Sequence, residues 1–194
     1  VTVLQHSAQS GRHPLSERGT DFYATPAPAV RALLRVEKLP HRVWEPACGS
    51  GAIVSILRAA GHDVHASDLY DWGCAYSRAG ADFLREESAP AGFTYIVTNP
   101  PFAQAEQFIA HALELCPRVV MLLRLAFLES ERRTPLLDSG LLARVHVFKN
   151  RLPMMHRHGW AGPRASSAIP FAWFVFDRNH RGPITLDRIS WRNP

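Results

Sequence analysis

The chain has only three cysteines among its 194 residues, Cys48, Cys74 and Cys116. They are odd in number, far apart, and never in CxxC spacing. This points away from a disulfide framework or a zinc knuckle and predicts reduced thiols and a cytoplasmic protein. No apolar run is long enough to cross a bilayer. The opening stretch, "VTVLQHSAQSGRHPLSERG", lacks the apolar centre of a signal peptide, and residues 1–20 read as a loose polar arm. Internal repeats and low-complexity tracts are also missing. The turn "EPACGSG" has no third glycine at position 54, where Val54 stands, and no Gly-Lys-Ser follows it. A bound dinucleotide or nucleoside triphosphate is therefore disfavoured.

What is present is enough for one compact domain: hydrophobic residues make up 46% of the chain, sufficient for a sizeable core. Charge is distributed unevenly. Residues 1–140 hold 13 Lys/Arg against 15 Asp/Glu, whereas residues 141–194 hold 9 against 2. A one-sided, Arg-rich surface suits a polyanion, although a soluble basic face without a partner has the same composition.

Hydrophobic periodicity alternates between strands and helices. "HRVWEP", "HDVHASDL", "FTYIVTN", "RVVMLLRL", "ARVHVFK" and "PFAWFVFDR" read as strands. "PAPAVRALLRVEK" after a Thr25 cap, "GAIVSILRAAG" closed by Gly61, "AQAEQFIAHALELC" and the short "RTPLLDSG" read as helices. Such alternation predicts a mostly parallel sheet with helices on both faces. Ligands then bind at the carboxyl ends of the strands. That rule singles out Glu45, Asp68, Asn99 and the loop after Lys149.

Gly49 and Gly51 let a ligand approach the backbone at a helix N-terminus; a tight turn with no ligand is the plainer reading. Asp68 follows Gly51 by 17 residues, close to the spacing at which an acid meets ribose hydroxyls. Leu69 could press on an adenine face. Asp82 and Phe83 offer an acceptor for an exocyclic amine beside an aromatic wall. Each acid alone could be a solvated surface charge; the ordered series describes a nucleoside site.

"YIVTNPPF" stops a strand on a stiff corner. The Asn99 side-chain carbonyl accepts a hydrogen bond, and so does the backbone C=O of Pro100, which lacks an N–H. Two acceptors held by Pro100 and Pro101 suit a planar –NH2 group. Accepting both of its hydrogens makes the nitrogen lone pair available for attack. Phe102 supplies a flat face for the amine's parent ring. The plainer reading is a proline turn ending a strand.

Taken together, "EPACGSG", "SDL", "ADFL" and "NPPF" resemble the motifs of S-adenosylmethionine-dependent amino methyltransferases. "DFYATP", residues 21–26, resembles the motif that holds the cofactor's methionine moiety, and its place before the glycine turn resembles one class of DNA adenine-N6 methyltransferases. The resemblance spans residues 21 to about 177. It implies a Rossmann-like class I fold, with a seven-stranded, mostly parallel sheet whose last strand, "FAWFVFD", is antiparallel. It also implies S-adenosylmethionine bound by Asp21, Phe22, Tyr23, Thr25, Glu45, Pro46, Ala47, Cys48, Gly49, Gly51, Asp68, Leu69, Asp82 and Phe83. Asn99, Pro100, Pro101 and Phe102 would be catalytic, acting on N6 of a flipped-out adenine in DNA. RNA and protein-glutamine methyltransferases share the NPPF-type corner and form the second reading; a nucleoside-binding module without catalysis is the third. The compact form is similar to methyltransferases of bacteriophages.

No separate target-recognition domain is visible, which predicts a relaxed or very short recognition sequence. Residues 149–169 are the candidate DNA-contacting loop, with Lys149, Arg151, Arg157, His158, Trp160 and Arg164 as candidate contacts. An ordinary solvated loop is the alternative, and Trp160 could equally be core. His156 and His158 lack a third ligand at suitable spacing, so no metal site is expected. The methyltransferase domain is expected over residues 21–180, with 181–194 as a tail.

Overall fold

The computed structural model describes residues 23–154 and 169–192. Eight strands form one sheet: β1 (Arg42–Glu45), β2 (Asp63–Asp68), β3 (Ser77–Ala79), β4 (Tyr95–Thr98), β5 (Arg118–Arg124), β6 (Leu142–Phe148), β7 (Phe171–Asp177) and β8 (Thr185–Ile189). Their order is β3-β2-β1-β4-β5-β7-β6-β8. β7 runs antiparallel to both β5 and β6, while every other pairing is parallel.

The seven-strand expectation is thus corrected to eight. "FAWFVFD" is antiparallel as expected but is not last. β8 follows it, inside the segment read as a tail, and pairs with β6 from Arg144↔Thr185 to Phe148↔Ile189. β8 escaped the sequence reading because only one of its five residues is buried, so it carries little hydrophobic signal. The short β3 was hidden in the same way, being exposed at two of three positions.

Alternation along the central strands shows that both faces are covered. Val43, Tyr95, Val97, Val120, Leu122, Trp173 and Val175 face α1 (Ala27–Val36) and α2 (Ala52–Ala59). Trp44, Ile96, Val119, Met121, Leu123, Phe174 and Phe176 face α3 (Ala105–Leu115) and the short α4 (Thr134–Leu137). A strand buried on both sides is a near-continuous apolar run, which is why β4 and β7 read so clearly.

Gly61 closes α2 as expected. It adopts φ 90°, its N–H donates to Arg58 O, and the N–H of His62 donates to Leu57 O. This paired pattern is the Schellman motif. Thr25 does not cap α1. Pro26 occupies the cap position without a side-chain bond, and Thr25 is buried instead. At the other end of α1, the buried Glu37 carboxylate accepts from Arg144 Nε at 2.5 Å and Nη2 at 3.0 Å, and from His146 Nε2 at 2.7 Å. Those bonds tie α1 to β6.

Candidate functional site

The carboxyl ends of β1, β2 and β4 enclose one cavity of about 420 Å³, within the size range of small-molecule sites. It gathers residues more than 70 positions apart. Tyr23 and Thr25 come from the segment before α1. Glu45, Pro46, Ala47 and Cys48 come from the end of β1 and its turn. Asp68 and Leu69 end β2. Asp82 and Phe83 follow β3, and Asn99 to Phe102 follow β4.

Gly49 and Gly51 shape the turn rather than line the cavity, whereas Ser50, which the sequence reading passed over, does line it. Gly51 sits at φ 83°, and a Cβ there would meet Cys74 Sγ at 2.7 Å. Only glycine fits this left-handed, crowded position.

Asp68 is more heavily engaged than expected. One carboxylate oxygen accepts from Gly49 N–H at 2.8 Å. The other accepts from Tyr70 N–H at 2.9 Å and Trp72 Nε1 at 3.1 Å. A carboxylate offers about four acceptor positions, so roughly one is left for a ligand hydroxyl. Asp68 thus organises two loops besides lining the cavity. Asp82 is also engaged, accepting from Leu84 N–H at 3.1 Å with Arg85 Nε at 3.4 Å. Leu69 is 48% exposed at the cavity mouth, beside Tyr70 and Trp72, which also line it. Phe83 forms part of the floor, packed edge-on against Trp44 with centroids 5.3 Å apart.

Glu45 is buried, and its Oε2 has no hydrogen-bond partner. Burial pushes its carboxyl well above the usual carboxylate range, with Cys74 and Asp68 adding to the rise. A cationic group in the cavity would reverse that shift. Cys48 is not poised as a nucleophile. Its Sγ donates to Ser77 Oγ at 3.1 Å, and burial pushes the thiol up to about 12.

At the end of β4, Asn99 Nδ2 donates to the backbone O of Tyr23 at 3.0 Å. Its Oδ1 is buried without a partner. A carbonyl can only accept, so Tyr23 O dictates which way the amide faces. The hydroxyl of Thr98, one residue earlier, is likewise buried and unpartnered. Tyr23 thereby enters the site through its main chain, a role that residue identity could not reveal.

Phe102 stacks with Tyr23, with centroids 5.7 Å apart and planes 25° apart, and Phe171 lies 5.6 Å away. The Arg124 guanidinium lies over the same ring, 4.6 Å from its centroid. Arg124 was not singled out in the sequence.

Of the candidate loop, Lys149 and Arg151 are exposed, and Lys149 N–H is bound to Ile189 O at 2.8 Å. Leu152 and Met154 are buried in the core, so this end of the loop is anchored. Pro170 O accepts from Leu125 N–H at 2.9 Å, which brings the chain back beside Phe102. Asp21, Phe22, Arg157, His158, Trp160 and Arg164 lie outside the described residues, as does the polar arm.

No protein-family model matches the chain, and no curated protein matches its sequence. Solved structures do share its architecture. The methyltransferase subunit of a type I restriction-modification system from Streptococcus thermophilus matches with a TM-score of 0.62 and 15% identity, over 86% of this chain and 47% of that one. The 23S rRNA methyltransferase ErmE matches with a TM-score of 0.52 and 17% identity, over 79% of this chain and 67% of that one. The chain therefore spans about half the length of the streptococcal subunit. The fold is a mixed, Rossmann-like α/β sheet resembling the class I S-adenosylmethionine-dependent methyltransferases. Among the described residues, no helix is long and apolar enough to cross a membrane.

Proposed function

We propose that the chain is an S-adenosylmethionine-dependent methyltransferase acting on N6 of a flipped-out adenine in DNA. The observation that carries this reading is the Asn99 side chain. Its donor is tied to Tyr23 O and its acceptor is buried and unused. Leaving a buried acceptor unmade costs about 1–3 kcal/mol, an arrangement expected where a ligand supplies the donor.

The residues of the cavity suit the cofactor. Glu45, buried and lacking a partner for one oxygen, would take the ammonium of the methionine end. Asp68 would use its remaining acceptor position for a ribose hydroxyl. Leu69 and Asp82 would meet the adenine. When bound, S-adenosylmethionine supplies an electrophilic methyl on a sulfonium leaving group.

The chain's own contribution is positioning. Asn99 Oδ1 and the Pro100 carbonyl accept the two hydrogens of the target amine. Its lone pair is thereby drawn out of the ring and aimed at the methyl carbon. As the nitrogen–carbon bond forms, the carbon–sulfur bond breaks. The nitrogen is briefly cationic and sheds a proton afterwards, so no general base is needed before attack. Phe102 holds the ring of the flipped base. Lys149, Arg151, Arg157 and Arg164 would contact phosphates, each lowering the log–log salt slope by roughly 0.9 when lost on duplex DNA.

The test is to offer labelled S-adenosylmethionine with duplex DNA, RNA and protein in parallel, then digest the labelled product. N6-methyladenine in DNA is the expected product. Label confined to RNA or to glutamine would replace the substrate assignment. No label in any acceptor, with cofactor bound, would leave a binding module.

A further inference from the structure

Phe102 poses a problem for the base it would hold. A base needs an open aromatic face, yet the Tyr23 ring is stacked on Phe102 and the Arg124 guanidinium lies over it. A base that stacks there must displace at least one of them. Tyr23 is the better held: its ring is half-buried against the core, and its main-chain carbonyl accepts from Asn99. Arg124 is held far more weakly. It is the last residue of β5, its side chain is exposed, and among the described residues it forms no ion pair with a carboxylate. Other arginines at this end of the sheet are retained differently: Arg132 and Arg133 both reach Glu106.

We propose that Arg124 is a placeholder on the aromatic platform: its planar guanidinium covers Phe102 until a base displaces it, so that Arg124 sets how strongly a base must stack in order to enter. This rests on the reading of Phe102 as the base platform. The energetics favour exchange. An exposed cation–π contact corresponds to about two- to fivefold in an equilibrium constant, whereas stacking of a base on an aromatic side chain corresponds to roughly five- to more than a hundredfold. A base therefore wins the ring, and a group that stacks weakly does not. Arg124 acts as a selectivity residue for occupancy of the platform and takes no part in bond making.

The effect is isolated by two single-stranded oligonucleotides of equal length. One is wholly abasic; the other carries a single adenine among abasic positions. Their affinities are compared with S-adenosylhomocysteine saturating the cofactor cavity. The ratio of the two dissociation constants reports the base alone, because the phosphates are the same. Arg124→Ala is expected to raise that ratio by about two- to fivefold over wild type, as the competing contact is gone. Phe102→Ala should abolish the ratio. In the Phe102→Ala, Arg124→Ala double variant, removing Arg124 should then change nothing, an outcome that a merely structural role would not produce. An Arg124→Ala ratio equal to or below wild type, with Phe102→Ala still abolishing it, overturns the placeholder and leaves the platform standing. A ratio unaffected by Phe102→Ala, or absent in wild type, overturns the platform and the placeholder with it.

Discussion

Glu37 and Glu45 are both buried glutamates, yet their surroundings are opposite. Glu37, at the end of α1, receives Arg144 and His146 directly. Burial alone would push its carboxyl up, but those bonds more than offset it and pull the carboxyl below its usual range. Glu45, at the end of β1, has no such partner for Oε2, and burial raises its carboxyl well above that range. The first glutamate stabilises the fold. The second lowers stability as pH rises, and under the proposed function its unpartnered oxygen would receive the cofactor's ammonium. The same contrast runs through the polar groups at large. Five buried side-chain atoms lack a partner among the described residues, and three of them, Glu45 Oε2, Thr98 Oγ1 and Asn99 Oδ1, sit at the carboxyl ends of β1 and β4. Two of those three, on Glu45 and Asn99, belong to residues that line the cavity.

The sharpest way to break this contrast is to remove the unused acceptor itself. Asn99→Ala should lower turnover by about 10²–10³-fold, the scale of losing one preorganised hydrogen-bonding group in a reacting site. Its melting temperature and cofactor affinity should stay near wild type, since only Tyr23 O loses a donor. Single-turnover methylation beside calorimetry checks both halves, and retained wild-type methylation would refute the mechanism.

Removing the partnered glutamate should do the reverse. Glu37→Ala leaves Arg144 and His146 without their shared acceptor and should cost about 3 kcal/mol of stability, the low end for a broken buried pair because Arg144 is partly solvated. Cofactor affinity, measured below the new melting temperature, should not change. A large loss of affinity would mean that the two regions are not independent.

Glu45→Gln should weaken cofactor binding by about ten- to hundredfold, as a charge-assisted hydrogen bond is lost. Its effect on stability has the opposite sign. A carboxyl whose folded-state pKa is raised binds its proton more tightly when folded, so wild-type stability falls as pH rises above the usual 4.5. Glu37, with a lowered pKa, contributes stability above 4.5 that is lost as pH falls through its folded value. Melting curves from pH 5 to pH 8 should therefore show Glu45→Gln gaining on wild type as pH rises. Parallel curves would mean that Glu45 finds a partner within the protein itself.

The smallest effect expected is at Asp68. Asp68→Asn keeps the size but replaces one acceptor oxygen with a donor nitrogen, which must then face Gly49 N–H or the Tyr70 and Trp72 donors. Affinity should fall by about tenfold, with a few degrees lost in melting temperature. Unchanged affinity in calorimetry would remove Asp68 from the cofactor site.

Much of this molecule was legible from residue order alone. The apolar runs of β4, β5 and β7 and the helical stripe of α3 depend on burial patterns that each segment carries in itself. The glycine turn, the acids after it and the Asn-Pro-Pro-Phe corner were readable because a turn or a strand end constrains only its neighbours. Strand position then brought them to one cavity, as a parallel sheet requires. Other features belong to the tertiary structure. Asn99 is oriented by a main-chain oxygen 76 residues earlier, and every residue type carries such an oxygen. Arg124 reaches Phe102 because β5 lies beside β4. Glu37 and Glu45 are the same amino acid, and both are buried. What gave one carboxylate its partners and left an oxygen of the other without any was which residues the sheet order delivered to them, and no local stretch of sequence contains that.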